Sequence, residues 1–181
     1  ILFVSTRYPF SNIYSGDRVR STSIIKFLSK SSQVDLVCSD DKKTNKNIRE
    51  KIFTNHNLFI RILNTFLSAL KLQPLQNGFF YNEELQRFIN NNHQNYETII
   101  FHLIRAAQYL PSNFRGKKIL EMTDLYSNNY KQTQKNLSML NPMFYIYFLE
   151  QLLVKKYEKK CSKKFNKIIL VSNKDLKNND T

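Results

Sequence analysis

Arginines, a histidine and carboxylates recur directly after short apolar runs in this chain. Arg7, Gly16, Asp17, Arg18 and Arg20 follow the run at 1–5, and His102 and Arg105 follow the start of ETIIFH at 97–102. Asp124 comes after the run at 118–122, and Ser172 and Asn173 come after the run at 166–171. Arginine presents a rigid fork of donors to phosphate, histidine titrates near neutral pH, and a carboxylate can orient either. A helix opening at Ser-Gly-Asp-Arg would add free backbone amides and the positive end of its dipole. Together these residue types point to recognition of a phosphate-bearing ligand in one crevice.

Each residue also has a plainer role. Gly16 could supply a positive φ at the helix start, and Asp17 and Asp124 could be helix caps. Arg18 and Arg20 are two apart and do not share a helix face, which would leave one of them on plain surface. A lone histidine at a strand end is often structural. His56 and His93 lie in polar surroundings and receive no assignment. Glu150 and Glu158 fall about two turns apart on one long helix, where a solvated or ion-paired role is the default.

Absent patterns narrow the chemistry further. The chain has no Gly-x-Gly-x-x-Gly, no Walker loop, no serine between glycines and no His/Cys cluster. Dinucleotide, P-loop, serine-hydrolase and zinc chemistry are therefore unsupported.

For these residues to converge, the apolar runs must be parallel strands with a common carboxyl edge. The pattern predicts strands at 1–5, 34–38, 97–102, 118–122 and 166–171. Helical spacing predicts helices at 17–30, 57–72, 82–90, 104–110, 125–137 and 144–160. Asn82 reads as a cap followed by Glu83 and Glu84, and Pro142 reads as a helix opener. The polar segment 40–50 reads as a loop, and PLQNGFF at 74–80 as a break. Strand and helix alternate, so the fold class is α/β, a parallel sheet flanked by helices on both faces.

The 181 residues, 41% of them hydrophobic, suit one domain with a real core. A formal charge of +14 suggests polyanionic partners, although a bias toward Lys, Asn and Ile would produce the same number. The lysine-rich stretches 42–51 and 155–167 read as solvated faces. Charge alone would also suit a nucleic-acid binder, but no DNA or RNA module is recognisable, and none is expected as a partner. Cys38 and Cys161 lack metal-ligand spacing; Cys38 reads as core, and a reducing, cytoplasmic setting fits both. No apolar run reaches the ~18 residues that span a bilayer.

The ordered set ILFVSTRYPF, SGDRVR, VDLVC, PLQNGFFYNEEL, FHLIRAAQYL, LEMTDLYSNNY, FLEQLL to YEKK and IILVSNKD resembles the N-terminal domain of a GT-B glycosyltransferase of the family 4 type. It is similar to sugar transferases of bacterial exopolysaccharide systems. The resemblance spans essentially the whole chain, 1–181. It implies a Rossmann-like acceptor-side domain, one half of a GT-B fold, ending before a C-terminal domain that holds the nucleotide-sugar donor. It also implies a hexosyltransferase that retains anomeric configuration, without a metal or other cofactor. Glu150 and Glu158 fall in the wrong place to be the family's donor-side glutamate pair, so the resemblance implies half an active site and an isolated fragment that is inactive.

By the same resemblance, Gly16, Asp17 and Arg18 would border the donor diphosphate. His102 would hydrogen-bond the transferred sugar, since family members carry a basic or polar residue after the fourth strand. Arg7, Arg20, Arg105 and Asp124 would line the acceptor side, for a glycan or lipid-linked acceptor. Family members often work at the inner membrane face. Segment 57–72 and the lysine-rich end of 144–160 could then provide insertion and attraction to anionic lipid. The simpler reading of the pair is a core helix beside a solvated one. The competing function is a non-catalytic Rossmann-like nucleotide-binding or regulatory module.

Overall fold

A computed structural model describes residues 1–13, 15–40, 49–55 and 57–171. Strand β1 (Leu2–Ser5) leads through a loop to helix α1 (Gly16–Leu28), then to strands β2 (Asp35–Asp40) and β3 (Glu50–Thr54). Helices α2 (Leu58–Leu70), α3 (Leu75–Phe79) and α4 (Glu83–Asn92) precede β4 (Thr98–His102). A 3-10 helix, Ile104–Tyr109, joins β4 to β5 (Lys117–Glu121). Helices α5 (Tyr126–Lys135) and α6 (Pro142–Ser162) then lead to β6 (Lys167–Ile169).

These strands form one all-parallel sheet in the order β3-β2-β1-β4-β5-β6. This is a Rossmann-like α/β arrangement. The order reverses direction between β1 and β4, and a crevice opens outside the carboxyl ends of strands at such a switch point.

Alternation along the strands builds two cores. Leu2 and Val4 point to one face with Val37, Ile99, Phe101 and Leu120, under Leu85 and Ile89 of α4 and Tyr157 and Cys161 of α6. Phe3 points to the other with Leu36, Cys38 and Ile100, under Ile25 of α1. Each fully buried Leu, Ile or Phe adds about 1.5–3 kcal/mol, so the central strands anchor the sheet. Asparagine starts three of the helices: Asn57 accepts from the amide of Ile60 at 3.0 Å, Asn82 from Leu85 at 3.0 Å and Asn141 from Met143 at 2.9 Å.

The structure departs from the sequence expectation in several places. A sixth strand, β3, was not anticipated. It is an edge strand, EKIFT, in which only Ile52 is buried, and its charged start, Glu50 and Lys51, masks the apolar signal. Most of the expected 40–50 loop, at 41–48, lies outside the described residues, as do His56, Ser172 and Asn173. The segment PLQNGFF is not a plain break but carries the short helix α3.

Helix α2 is not a core helix, because none of its residues is buried. Its polar side rests on α3, where a Cβ on Gly78 would lie 2.2 Å from the carbonyl oxygen of Asn64. Only glycine allows α2 and α3 to approach so closely. His93 is not in polar surroundings either. It is buried against Phe114, and its Nδ1 lies 2.8 Å from the carbonyl oxygen of Asn90.

Glu150 and Glu158 are not solvated: both are buried. Glu150 accepts from the amides of Leu75 and Gln76, at 2.6 and 3.1 Å. Glu158 accepts from the amide and hydroxyl of Ser127, at 3.2 and 2.6 Å. One helix thus supplies a carboxylate to the amide-bearing start of two others, satisfying donors those short helices cannot satisfy themselves.

Candidate functional site at the carboxyl edge of the sheet

The loop after β1 and the turn after β4 face each other across the switch point. The first loop is fixed by the Ser5 hydroxyl, which donates to the carbonyl of Arg7 at 2.8 Å, and by Thr22, which donates to the carbonyl of Pro9 at 3.0 Å. Tyr8 ties it to β3 through a 3.1 Å bond to Glu50, and burial together with that carboxylate pushes the Tyr8 phenol up to about 12. The turn after β4 begins at Leu103, held at φ 70° and ψ 152°. That left-handed conformation costs an L residue about 1–3 kcal/mol, and buried surroundings hold it there. The Leu103 amide donates to the carbonyl of Glu121 at 2.7 Å, and the chain then turns Arg105 back toward β1.

Asp17, in the first turn of α1, organises one half of the site. Its Oδ1 accepts from the hydroxyl of Ser15 and from the amide of Arg18 at 3.0 Å. Its Oδ2 faces Nη1 of Arg7 at 3.2 Å and Nη2 of Arg105 at 3.5 Å. Burial alone would raise the Asp17 carboxyl, but these donors and cations outweigh it and hold the group below its ordinary value. Ser15 occupies the cap position of α1, yet its hydroxyl donates to Asp17 and accepts from no backbone amide of the helix. Asp17 is therefore the hub of a charge cluster and not a helix cap.

Glu121 organises the other half. One carboxylate oxygen accepts from Nε of Arg20 and the other from Nδ1 of His102. Burial would raise Glu121 as well, but His102 and Arg20 bring it below its ordinary value. Nε2 of His102 lies 3.1 Å from the carbonyl oxygen of Asp17, so the imidazole bridges the two halves. Both partners are acceptors, and making both bonds requires a proton on each ring nitrogen. The ring stacks on Phe3 at 5.9 Å and is 1% exposed.

Arg105 is the most deeply set of the cations. Its Nε donates to the Thr6 hydroxyl at 2.6 Å, and its guanidinium lies 4.1 Å from the centroid of Phe80. Burial lowers it to about 10, which still leaves it charged at neutral pH. Arg7 shares Phe80 from 5.5 Å but keeps 41% of its side chain exposed. Arg18 pairs with Asp40 at 3.9 Å while its Nε is buried without a partner. Neither Arg18 nor Arg20 is the plain surface residue that their spacing suggested.

Four guanidiniums thus meet three carboxylates, Asp17, Asp40 and Glu121, in the described ion pairs. The partly exposed Arg7 and Arg20 form the open shoulder, while His102, Glu121 and Arg105 form its buried support. An anion arriving at the shoulder would meet donors already aimed by carboxylates.

The structure brings Arg7, Asp17, Arg18, Arg20, His102 and Arg105 together. Gly16 lies at the same helix start without a positive φ, and a Cβ there would meet nothing within 4 Å, so its conformation does not demand glycine. Asp124 stands apart: it is half-buried beyond β5 and makes no ion pair among the described residues.

Sequence reasoning missed Glu121, Phe80 and Thr6. Glu121 did carry a signal, as a carboxylate inside the apolar run ILEM that must find partners if buried. Phe80 and Thr6 carried none, since an aromatic residue and a threonine are unremarkable until an arginine is seen between them. Among the described residues, no group of histidine, cysteine and acidic side chains is placed to hold a metal ion, and no helix is long and apolar enough to cross a membrane. Among known proteins, no family model matches the chain and no curated sequence matches it.

Proposed function

We propose that this chain is the acceptor-side domain of a nucleotide-sugar-dependent glycosyltransferase acting in cell-surface polysaccharide synthesis. The observation that carries this reading is the meeting of Arg7, Arg20, His102 and Arg105 at the switch point between β1 and β4. A sugar nucleotide has a diphosphate that becomes the leaving group. Its developing charge needs fixed cations and helix-start amides rather than a nucleophile.

In this reading Gly16, Asp17 and Arg18 lie toward the diphosphate. Arg7, Arg20, Arg105 and Asp124 lie toward a glycan or lipid-linked acceptor. His102 reaches the sugar by exchanging its 3.1 Å bond to the Asp17 carbonyl for a bond to a sugar hydroxyl. Glu121 keeps the ring oriented while that exchange occurs. Catalysis is then chiefly orientation plus stabilisation of the departing diphosphate. A second domain would supply the rest of the donor site.

One observation favours a second reading. Both ring nitrogens of His102 are already bonded within the chain, as a purely structural histidine would be. That fits a non-catalytic nucleotide-binding module. A nucleotide-sugar screen of the full-length protein, following release of nucleoside diphosphate, separates the two. We expect turnover with at least one donor, reduced about a hundredfold or more in His102→Ala. Nucleotide binding without turnover of any donor would establish the module instead.

A further inference from the structure

Helix α2 is amphipathic, but it is mounted with its polar side inward. Arg61, Asn64, Thr65 and Ser68 recur at three- and four-residue spacing and face the protein. Arg61 donates to the carbonyl of Phe79 at 3.1 Å and lies over the Phe79 ring at 3.9 Å. The opposite stripe, Leu58, Phe59, Ile62, Leu63, Phe66 and Leu70, is exposed along its length, Phe59 by 75% and Phe66 by 60%. A continuous apolar stripe of this kind is unusual on a protein surface and marks a place where something else binds.

The charge beside the stripe identifies what binds. No Asp or Glu occurs from 51 to 82, and none from 125 to 149. The two acids of α6, Glu150 and Glu158, are turned inward onto helix starts. Where α2 ends, Lys71 joins Lys156, Lys159 and Lys160 of α6, and Lys163 just beyond it, around a groove of about 490 Å³. The first half of α6 adds exposed apolar side chains, Tyr145 and Phe148 among them. Exposed apolar side chains next to lysines, with no exposed acid on either helix, match an anionic lipid surface. The apolar stripe would enter the acyl boundary and the lysines would stay among the headgroups. Two copies joined through α2 would instead bring two unneutralised lysine sets together.

We infer that α2 and the neighbouring lysine groove form a docking surface for an anionic bilayer, with α2 lying in the membrane plane. The inference rests on α2 and α6 and not on the chemistry assigned to the sheet edge.

The test is co-sedimentation of the full-length protein with vesicles of phosphatidylcholine alone or mixed equally with phosphatidylglycerol. The expected result is binding to the mixed vesicles only, weakened by salt. Phe59→Ser with Phe66→Ser, and separately Lys156→Glu with Lys160→Glu, should each reduce binding about tenfold or more. All four residues are exposed, so thermal unfolding of both variants should match the unsubstituted protein. Equal binding to neutral vesicles, or unchanged binding by the phenylalanine variant, would overturn the inference. So would sedimentation showing a dimer that the phenylalanine variant dissociates while vesicle binding is absent.

Discussion

His102 and Glu121 are register partners on neighbouring parallel strands, and their side chains meet in a buried hydrogen bond at the carboxyl edge. Arg20 of α1 occupies the other oxygen of the same carboxylate. Glu121 therefore joins α1, β4 and β5 at a point where a buried imidazole would otherwise face an unneutralised neighbour. Glu121→Gln removes the charge while keeping the shape. It should cost about 3 kcal/mol, the usual penalty for leaving one member of a buried pair alone. Urea unfolding at neutral pH measures it, and a loss below about 1 kcal/mol would mean that His102 and Arg20 find other partners.

Acid should act on the same network. Asp17 and Glu121 are both held below the ordinary carboxyl range, so the folded state binds their protons more weakly than the unfolded chain does. Their stabilisation is complete above the unfolded values, near pH 4, and is lost as pH falls through the folded values. The urea midpoint should therefore drop on acidification below about pH 4. Asp17→Asn combined with Glu121→Gln should flatten that drop. An equally steep fall in the double variant would place the acid sensitivity elsewhere.

The sheet was legible because its central strands are apolar runs closed by polar loops, and burial on both faces leaves little else such runs can be. Five of the six strands were read this way, with ends displaced by one or two residues. Residues such as Arg7, Asp17, His102 and Arg105 were legible because strand order alone delivers them to one edge. What stayed hidden depended on partners distant in sequence. Strand β3 gains its place from pairing with β2, and α2 shows the right period but gives no sign of which side faces inward. Glu150 and Glu158 were misread for the same reason, since nothing along a helix shows what packs against it.

Those two glutamates also give a sharp contrast with the lysines beside them. Each serves two donors at the start of another helix, so Glu150→Ala or Glu158→Ala strands both donors in a water-poor setting. Each substitution should cost about 1–3 kcal/mol. Lys159→Ala, on the exposed side of the same helix, should stay within about 0.5 kcal/mol. Thermal unfolding of the three variants checks the assignment. A Glu150→Ala protein as stable as Lys159→Ala would return Glu150 to the solvated role its spacing first suggested.

Arg105 and Arg7 share Phe80 and Asp17 but differ in exposure, and that difference separates support from recognition. Arg105→Lys keeps the charge yet loses the guanidinium contact over Phe80 and the Nε bond to Thr6. Because the site is buried, the cost should appear in stability, at about 1–3 kcal/mol, as well as in ligand affinity. Arg7→Lys alters a side chain that is 41% exposed, so stability should change by less than about 0.5 kcal/mol. If the phosphate of a lipid-linked acceptor meets the open shoulder, Arg7→Lys should still raise the acceptor KM about tenfold, because a lysine cannot present a fork. The acceptor KM of the full-length variants, measured beside urea unfolding of the same proteins, reads both effects. An unchanged acceptor KM in Arg7→Lys would move the acceptor away from the shoulder and leave the arginine cluster a purely structural device.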